Sequence, residues 1–235
     1  MLSVILVEPE REINVGMVAR VMKNTGFSDL IIINPKCKIG KKALMFSKHG
    51  SDVLKNAKIF KTINSAVRNF DYVIGTTGVV KRHKKTDRAV IPLQKFLKRA
   101  GPYLSRRTAI VFGREGIGLT SQEIDLCDFL LSIEANPSYP VFNISHAAAI
   151  ILYSLSQNKN KKPAGIEPLA SKEERKKLEL LFRQISSCYP LRNPRRVNAS
   201  WKKVLSKSML TEKEARSLLK IFRLISDDIS KIKKH

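Results

Sequence analysis

Five short runs of apolar, largely β-branched residues punctuate the first two thirds of the chain: Leu2–Val7, Leu30–Asn34, Asp71–Thr76, Thr108–Phe112 and Phe129–Ile133. Each has strand length, and its apolar residues are consecutive rather than alternating. That is the pattern of a parallel sheet covered on both faces. Helical spacing fills the gaps. Ile13–Thr25 sets Val15, Val18, Ala19 and Met22 on one face and stops at Gly26, the residue type that best takes a left-handed cap. Ser51–Ala57 and Asn64–Asn69 predict shorter helices and Leu93–Leu104 a longer one, while Asn143–Gln157 carries an Ala-Ala-Ala-Ile-Ile-Leu stripe. Strand and helix alternating in this way predict an α/β fold around a parallel sheet.

The pattern changes after residue 157. Residues 158–168 combine Lys159, Lys161 and Lys162 with Pro163 and Gly165, the polarity and breakers of a linker. This divides the chain into a domain over 1–157, a linker over 158–168 and a second domain over 169–235. In the second, Ser171 with Glu174 and Thr211 with Glu214 form capping boxes, for helices running to about Ser187 and about Ile232. Asn198–Leu205 predicts a third helix between them. The expectation is a small helical domain without strands.

Charge sharpens this division. The chain of 235 residues holds 44 Lys and Arg against 20 Asp and Glu, a formal net charge of +24. Residues 1–157 carry net +11, and the shorter remainder carries net +13. A field of this sign attracts polyanions, because each phosphate neutralised releases condensed counterions. Thermophile surfaces rich in lysine bring matching glutamate, which is lacking here. Nucleic acid is the expected partner. The longest unbroken apolar run, Ala147–Tyr153, falls well short of the roughly 20 residues a membrane helix needs. Met1–Val7 lacks the basic lead-in of a secretion signal and reads as a buried strand. Cys37, Cys127 and Cys188 show no paired spacing for zinc or disulfides, so ordinary thiols in a reducing cytoplasm, and no metal, are expected.

Three segments follow strands, where ligands collect in open α/β sheets. Asn14-Val15-Gly16-Met17-Val18-Ala19-Arg20 opens the first helix. By itself it reads as a cap at Asn14 and a solvated charge at Arg20. Phe112-Gly113-Arg114-Glu115-Gly116-Ile117-Gly118-Leu119 permits close backbone approach, but it has neither dinucleotide-fingerprint nor P-loop spacing. The third segment runs from Ile133 through Asn136-Pro137-Ser138-Tyr139-Pro140-Val141-Phe142-Asn143-Ile144-Ser145-His146 into the apolar helix.

In this order and near these spacings, the three segments resemble the motifs of the SpoU branch of the SPOUT RNA methyltransferases. Asn14–Arg20 is similar to the first motif, Val111–Leu119 to the second and Ile133–Tyr153 to the third. The Asn-Pro-x-Tyr form of the third motif, the strand exit Thr76-Thr77-Gly78 and the helical extension resemble the TrmJ subfamily, tRNA ribose 2′-O-methyltransferases of the anticodon loop. The resemblance implies a trefoil knot at the C-terminal end of the sheet, a homodimer, tRNA as substrate and S-adenosylmethionine as cofactor. It assigns cofactor contacts to Thr76, Thr77, Gly78, Gly113, Ile133, Pro140, Val141 and Phe142, largely through backbone groups. Pro140 and Val141 stand where the family usually has a small hydroxyl residue.

The resemblance also makes Arg20 catalytic, with Asn14 orienting Arg20 or the ribose. A guanidinium stays protonated in water. It therefore suits clamping a phosphate and stabilising a developing alkoxide better than removing a proton. Asn143 and Ser145 would hold the third-motif turn. Glu115 would contribute charge to the pocket or a hydrogen bond to the knot, and His146, with no second ligand nearby, reads as structural. Lys81, Arg82, Lys84, Lys85 and Arg88 follow Gly78 and are expected to meet RNA phosphates, as are Arg195 and Arg196 beside Trp201. Trp201 reads either as a base-stacking platform or as a core anchor. Two alternatives stay open: a ribosomal RNA acceptor, and a knotted RNA-binding protein without turnover.

Overall fold

The computed structural model describes residues 1–79, 88–159 and 167–232. The chain divides into two compact units, Met1–Thr86 with Val90–Ala164 and Asp87–Ala89 with Gly165–His235. The first is built on a seven-stranded, wholly parallel sheet. Its strands are β1 (Leu2–Val7), β2 (Asp29–Ile33), β3 (Lys58–Phe60), β4 (Tyr72–Thr77), β5 (Val90–Pro92), β6 (Thr108–Phe112) and β7 (Phe129–Ser132), in the order β3-β2-β1-β6-β4-β7-β5. The five apolar runs of the sequence are the five central strands. Every residue of β1, β6 and β7 is buried, as expected of strands covered on both faces. The three-residue edge strands β3 and β5 carry no such run and escape the sequence pattern.

Helix α1 (Glu12–Asn24) buries Val15, Val18, Ala19 and Met22. Its end is closed by Gly26 at φ 73°, the left-handed residue its sequence predicts. Gly16 lets this helix press onto α2 (Lys41–Ser47), for a Cβ there would run into the Ala43 carbonyl oxygen. A short 3-10 turn (Lys48–Gly50), α3 (Ser51–Lys55) and α4 (Ile63–Val67) complete the β1–β4 half. The expected helix over Leu93–Leu104 is instead two, α5 (Leu93–Leu97) and α6 (Gly101–Leu104). Pro102 starts a helix well but cannot continue one. Helix α7 (Ser121–Asp125) opens on a capping box of Thr120 and Glu123, and α8 (Ile144–Lys159) buries Ala148, Ile151, Leu152 and Leu155. The start of the expected linker is thus helical to Lys159, and residues 160–166 lie outside the described residues.

The second unit contains α9 (Lys172–Ser186), α10 (Pro194–Ser208) and α11 (Glu212–Ile232). Ser171–Glu174 forms the reciprocal box that the sequence predicts, as does Thr211–Glu214. Helix α10 begins earlier than expected, because the Asn193 side chain accepts from Arg196 N and Pro194 takes the first turn. Leu178, Leu205, Leu210 and Leu219 form its core. Trp201 stacks on Phe182 at 4.7 Å and packs against this core, so its ring is an anchor rather than a free platform. No helix among the described residues is long and apolar enough to cross a membrane.

Candidate functional site

Strands β6, β4 and β7 are neighbours, and their C-terminal ends open into one cavity of about 390 Å³ within the first unit. Apolar Phe112, Leu119, Leu131 and Ile133 line it together with Arg11, Arg114 and Glu115. Strand order reverses beside this point, since the chain builds outward from β1 to β3 and then returns to β4 on the other side of β6. Such reversals leave a crevice at strand ends. All eight residues named from the sequence as cofactor contacts, Thr76, Thr77, Gly78, Gly113, Ile133, Pro140, Val141 and Phe142, line this cavity.

Close backbone packing shapes the wall. A Cβ on Gly113 would collide with the backbone of Gly118 and Leu119, and one on Gly78 would lie 3.3 Å from Val141 Cα. Arg114 and Gly118 exchange backbone hydrogen bonds of 3.2 and 3.0 Å, making a tight loop with Gly118 at φ 71°. The Thr76 hydroxyl donates to the Val111 carbonyl at 3.0 Å and so ties β4 to β6. The Thr77 hydroxyl accepts from Val79 N at 3.2 Å.

One hydrogen-bonded network joins the three sequence segments. Asn14 Nδ2 donates to Glu115 Oε1 at 2.9 Å, and Asn14 Oδ1 accepts from Asn143 Nδ2 at 3.3 Å. Glu115 Oε2 accepts from Glu10 N at 3.0 Å, and Asn143 Oδ1 accepts from Ser145 N and Oγ, each at 2.8 Å. Asn14 is therefore no helix cap, a position taken by Arg11. Its two polar ends are held by Glu115 and Asn143, not by Arg20. Arg20 is exposed on α1 and does not line the cavity of its own chain. His146 is exposed on α8.

A second cluster, unseen in the sequence, braces the loop from beneath. Arg114 binds Glu123 through two bonds of 3.0 Å and Glu8 through one of 2.9 Å. The Arg114 bond holds the Glu8 carboxyl below the usual carboxylate range, against a partial opposing effect of burial. Burial also opposes ionisation of Glu123, but Arg114 and the Thr120 backbone outweigh it and keep that carboxyl low. Glu123, in turn, is the main reason that Arg114 is pushed above the usual guanidinium range. Burial, with Glu115 and Glu12 nearby, pushes the Cys37 thiol up, away from the thiolate form that reacts.

Of the residues assigned to RNA, Arg195 and Arg196 are exposed in the first turn of α10. Arg88 is half-buried and its Nε is out of contact with solvent. Lys81, Arg82, Lys84 and Lys85 lie outside the described residues. Among the described residues no group of three or more His, Cys, Asp or Glu is placed to hold a metal ion.

A model of the SpoU rRNA Methylase family matches residues 1–153, the whole of the segment that builds this cavity. The chain belongs to the SpoU methylase family. Within SpoU methylases it is 36% identical to the tRNA (cytidine-2′-O-)-methyltransferase TrmJ of Methanocaldococcus jannaschii, over 95% of this chain and 99% of that protein. It is 35% identical to the TrmJ of Sulfolobus acidocaldarius, over 95% of this chain and 93% of that protein. The crystal structure of TrmJ from Z. mobilis ZM4 superposes with a TM-score of 0.65 at 23% identity, covering 96% of this chain and 99% of that one. It shares the fold.

Proposed function

We propose that this SpoU methylase is an S-adenosylmethionine-dependent tRNA ribose 2′-O-methyltransferase. Its site of action is position 32 of the anticodon loop, a cytidine or uridine, in the cytoplasm. The observation that carries the reading is the cavity lined by the second and third motif segments, to which Asn14 of the first is tied through Glu115 and Asn143, in a chain similar along almost its whole length to two tRNA (cytidine-2′-O-)-methyltransferases.

The cavity fits the cofactor. Its volume lies within the range of small-molecule sites, roughly 300–1,000 Å³, and its wall mixes apolar strand ends with backbone-rich glycine turns. Thr77, Gly78, Gly113, Ile133, Pro140, Val141 and Phe142 would hold it. Thr76, whose hydroxyl is committed to Val111, contributes shape. When bound, the cofactor supplies a methyl group on a positively charged sulfur.

The chain's own residues orient the acceptor and manage its charge. Arg20 clamps the neighbouring phosphate and stabilises the 2′-oxygen as it becomes anionic, while the proton leaves to phosphate or water. Asn14, Glu115 and Asn143 hold the first helix against the cavity loops. Because Arg20 lies outside its own chain's cavity, the reading requires a homodimer in which one subunit's Arg20 serves its partner's cavity. The loops around Gly113 and Asn143 form the trefoil knot of the superfamily, and residues 169–235, with Arg195 and Arg196, grip the rest of the tRNA as a separate basic domain.

The name of the matching family favours a second acceptor, ribosomal RNA. Transfer of labelled methyl to unmodified tRNA and, in parallel, to ribosomal RNA separates the two, with the product mapped by resistance to alkaline cleavage. One protected anticodon-loop nucleotide is expected. No transfer to either RNA overturns the enzyme reading. Arg20→Ala is expected to abolish turnover with tRNA binding retained, and unchanged turnover removes the role given to Arg20.

A further inference from the structure

Among the described residues three charged side chains line the cavity, and two of them are already engaged. Arg114 is held by Glu8 and Glu123, and Glu115 accepts from Asn14 and from Glu10 N. The third is Arg11. It stands at the start of α1, where its carbonyl accepts from Asn14 N and Val15 N, but its side chain caps nothing. Among the described residues its guanidinium has neither an ion pair nor a hydrogen bond, and the residue is exposed. The carboxylate of the adjacent Glu12 is turned elsewhere, for its Oε1 accepts from Gly40 N at 2.7 Å and Ala43 N at 3.1 Å.

A cation left uncompensated on the wall of a ligand cavity favours an anionic ligand group there. A guanidinium adds geometry, because its planar fork matches the two oxygens of a carboxylate or phosphate. We infer that Arg11 is the anion-binding residue of the cavity, pairing with an oxyanion of the bound ligand: the cofactor's carboxylate or an RNA phosphate. The inference rests on the methyltransferase reading and adds to it a cation contributed by the chain's own subunit, where Arg20 would come from the partner.

The test uses the full-length protein with Arg11→Gln and Arg11→Lys. S-adenosylhomocysteine affinity is measured by calorimetry and tRNA affinity by filter binding across a salt series. Arg11→Gln is expected to weaken one of the two by about tenfold or more, the usual scale of a charge-assisted bond, with partial recovery in Arg11→Lys. If the partner is phosphate, tRNA affinity falls, the slope of log affinity against log salt drops by about 1, and S-adenosylhomocysteine binding is unchanged. If it is the carboxylate, S-adenosylhomocysteine affinity falls and the RNA slope stays. Both affinities unchanged overturn the inference while leaving the methyltransferase reading intact. Loss of binding in Arg11→Gln, in a protein whose wild type transfers no methyl, overturns that reading and keeps the anion site. A wild type that binds neither ligand overturns both.

Discussion

Arg114 makes three charge-assisted bonds to two carboxylates, so the shape of the cavity loop depends on Glu8 and Glu123 staying ionised. Both carboxyls are lower in the folded protein than in the unfolded chain. Their contribution to stability is therefore fully present above the unfolded carboxylate range and is lost as pH falls through the folded values, because the unfolded chain then binds more protons. Urea midpoints measured from neutral to acidic pH should show this decline in the wild type. Arg114→Met should be less stable near neutrality, by about 1.5–3 kcal/mol per charged bond lost, with a shallower acid limb. Parallel acid limbs in the two proteins would mean that the cluster does not control the titration. Little of it was legible in the sequence, since Arg114 and Glu8 lie 106 positions apart and no local pattern couples them. Asn14 stood out in the sequence as a candidate, but its contacts did not, for its partners Glu115 and Asn143 arrive 101 and 129 positions later.

Elements were read most securely where burial dictates composition. A strand covered on both faces has to be apolar throughout, so β1, β2, β4, β6 and β7 announced themselves, whereas β3 is held at the edge by pairing to β2 and leaves Ile59 65% exposed. Local chemistry was equally readable in the two capping boxes of the second unit, because both partners of each lie within one helical turn. Ser171→Ala should therefore cost the second unit about 0.5–2 kcal/mol, with about 1 most typical. The chain's single tryptophan, Trp201, packs against that unit's core and serves as its probe. Its fluorescence should report a lower urea midpoint in the variant. An unchanged midpoint would show that the box contributes nothing to that unit. The break between α5 and α6 shows the opposite case, where helical spacing over Leu93–Leu104 runs on across Pro102 and the backbone does not.

Across the whole molecule, a net charge of +24 makes RNA affinity depend steeply on ionic strength. Arg195 and Arg196 sit in the first turn of α10, where the helix dipole disfavours cations, a position that suits contact with an external anion. The double variant Arg195→Ala, Arg196→Ala should weaken tRNA binding and lower the log affinity against log salt slope by about 2 if each meets a phosphate, with S-adenosylhomocysteine binding intact. An unchanged slope would remove α10 from the RNA surface. Sequence by itself determined the α/β class, the central strands, the capped basic helices, the attraction to polyanions and the three segments that carry the family resemblance. Each of these follows from composition or from residues close together in the chain. Tertiary structure alone decided strand order, the convergence of the second and third segments on one cavity, the bonds that tie Asn14 of the first to them, the bracing of Arg114 by Glu8 and Glu123, and the position of Arg11 on the cavity wall. Those depend on contacts between residues far apart in the chain, which form only when the sheet brings its strand ends together.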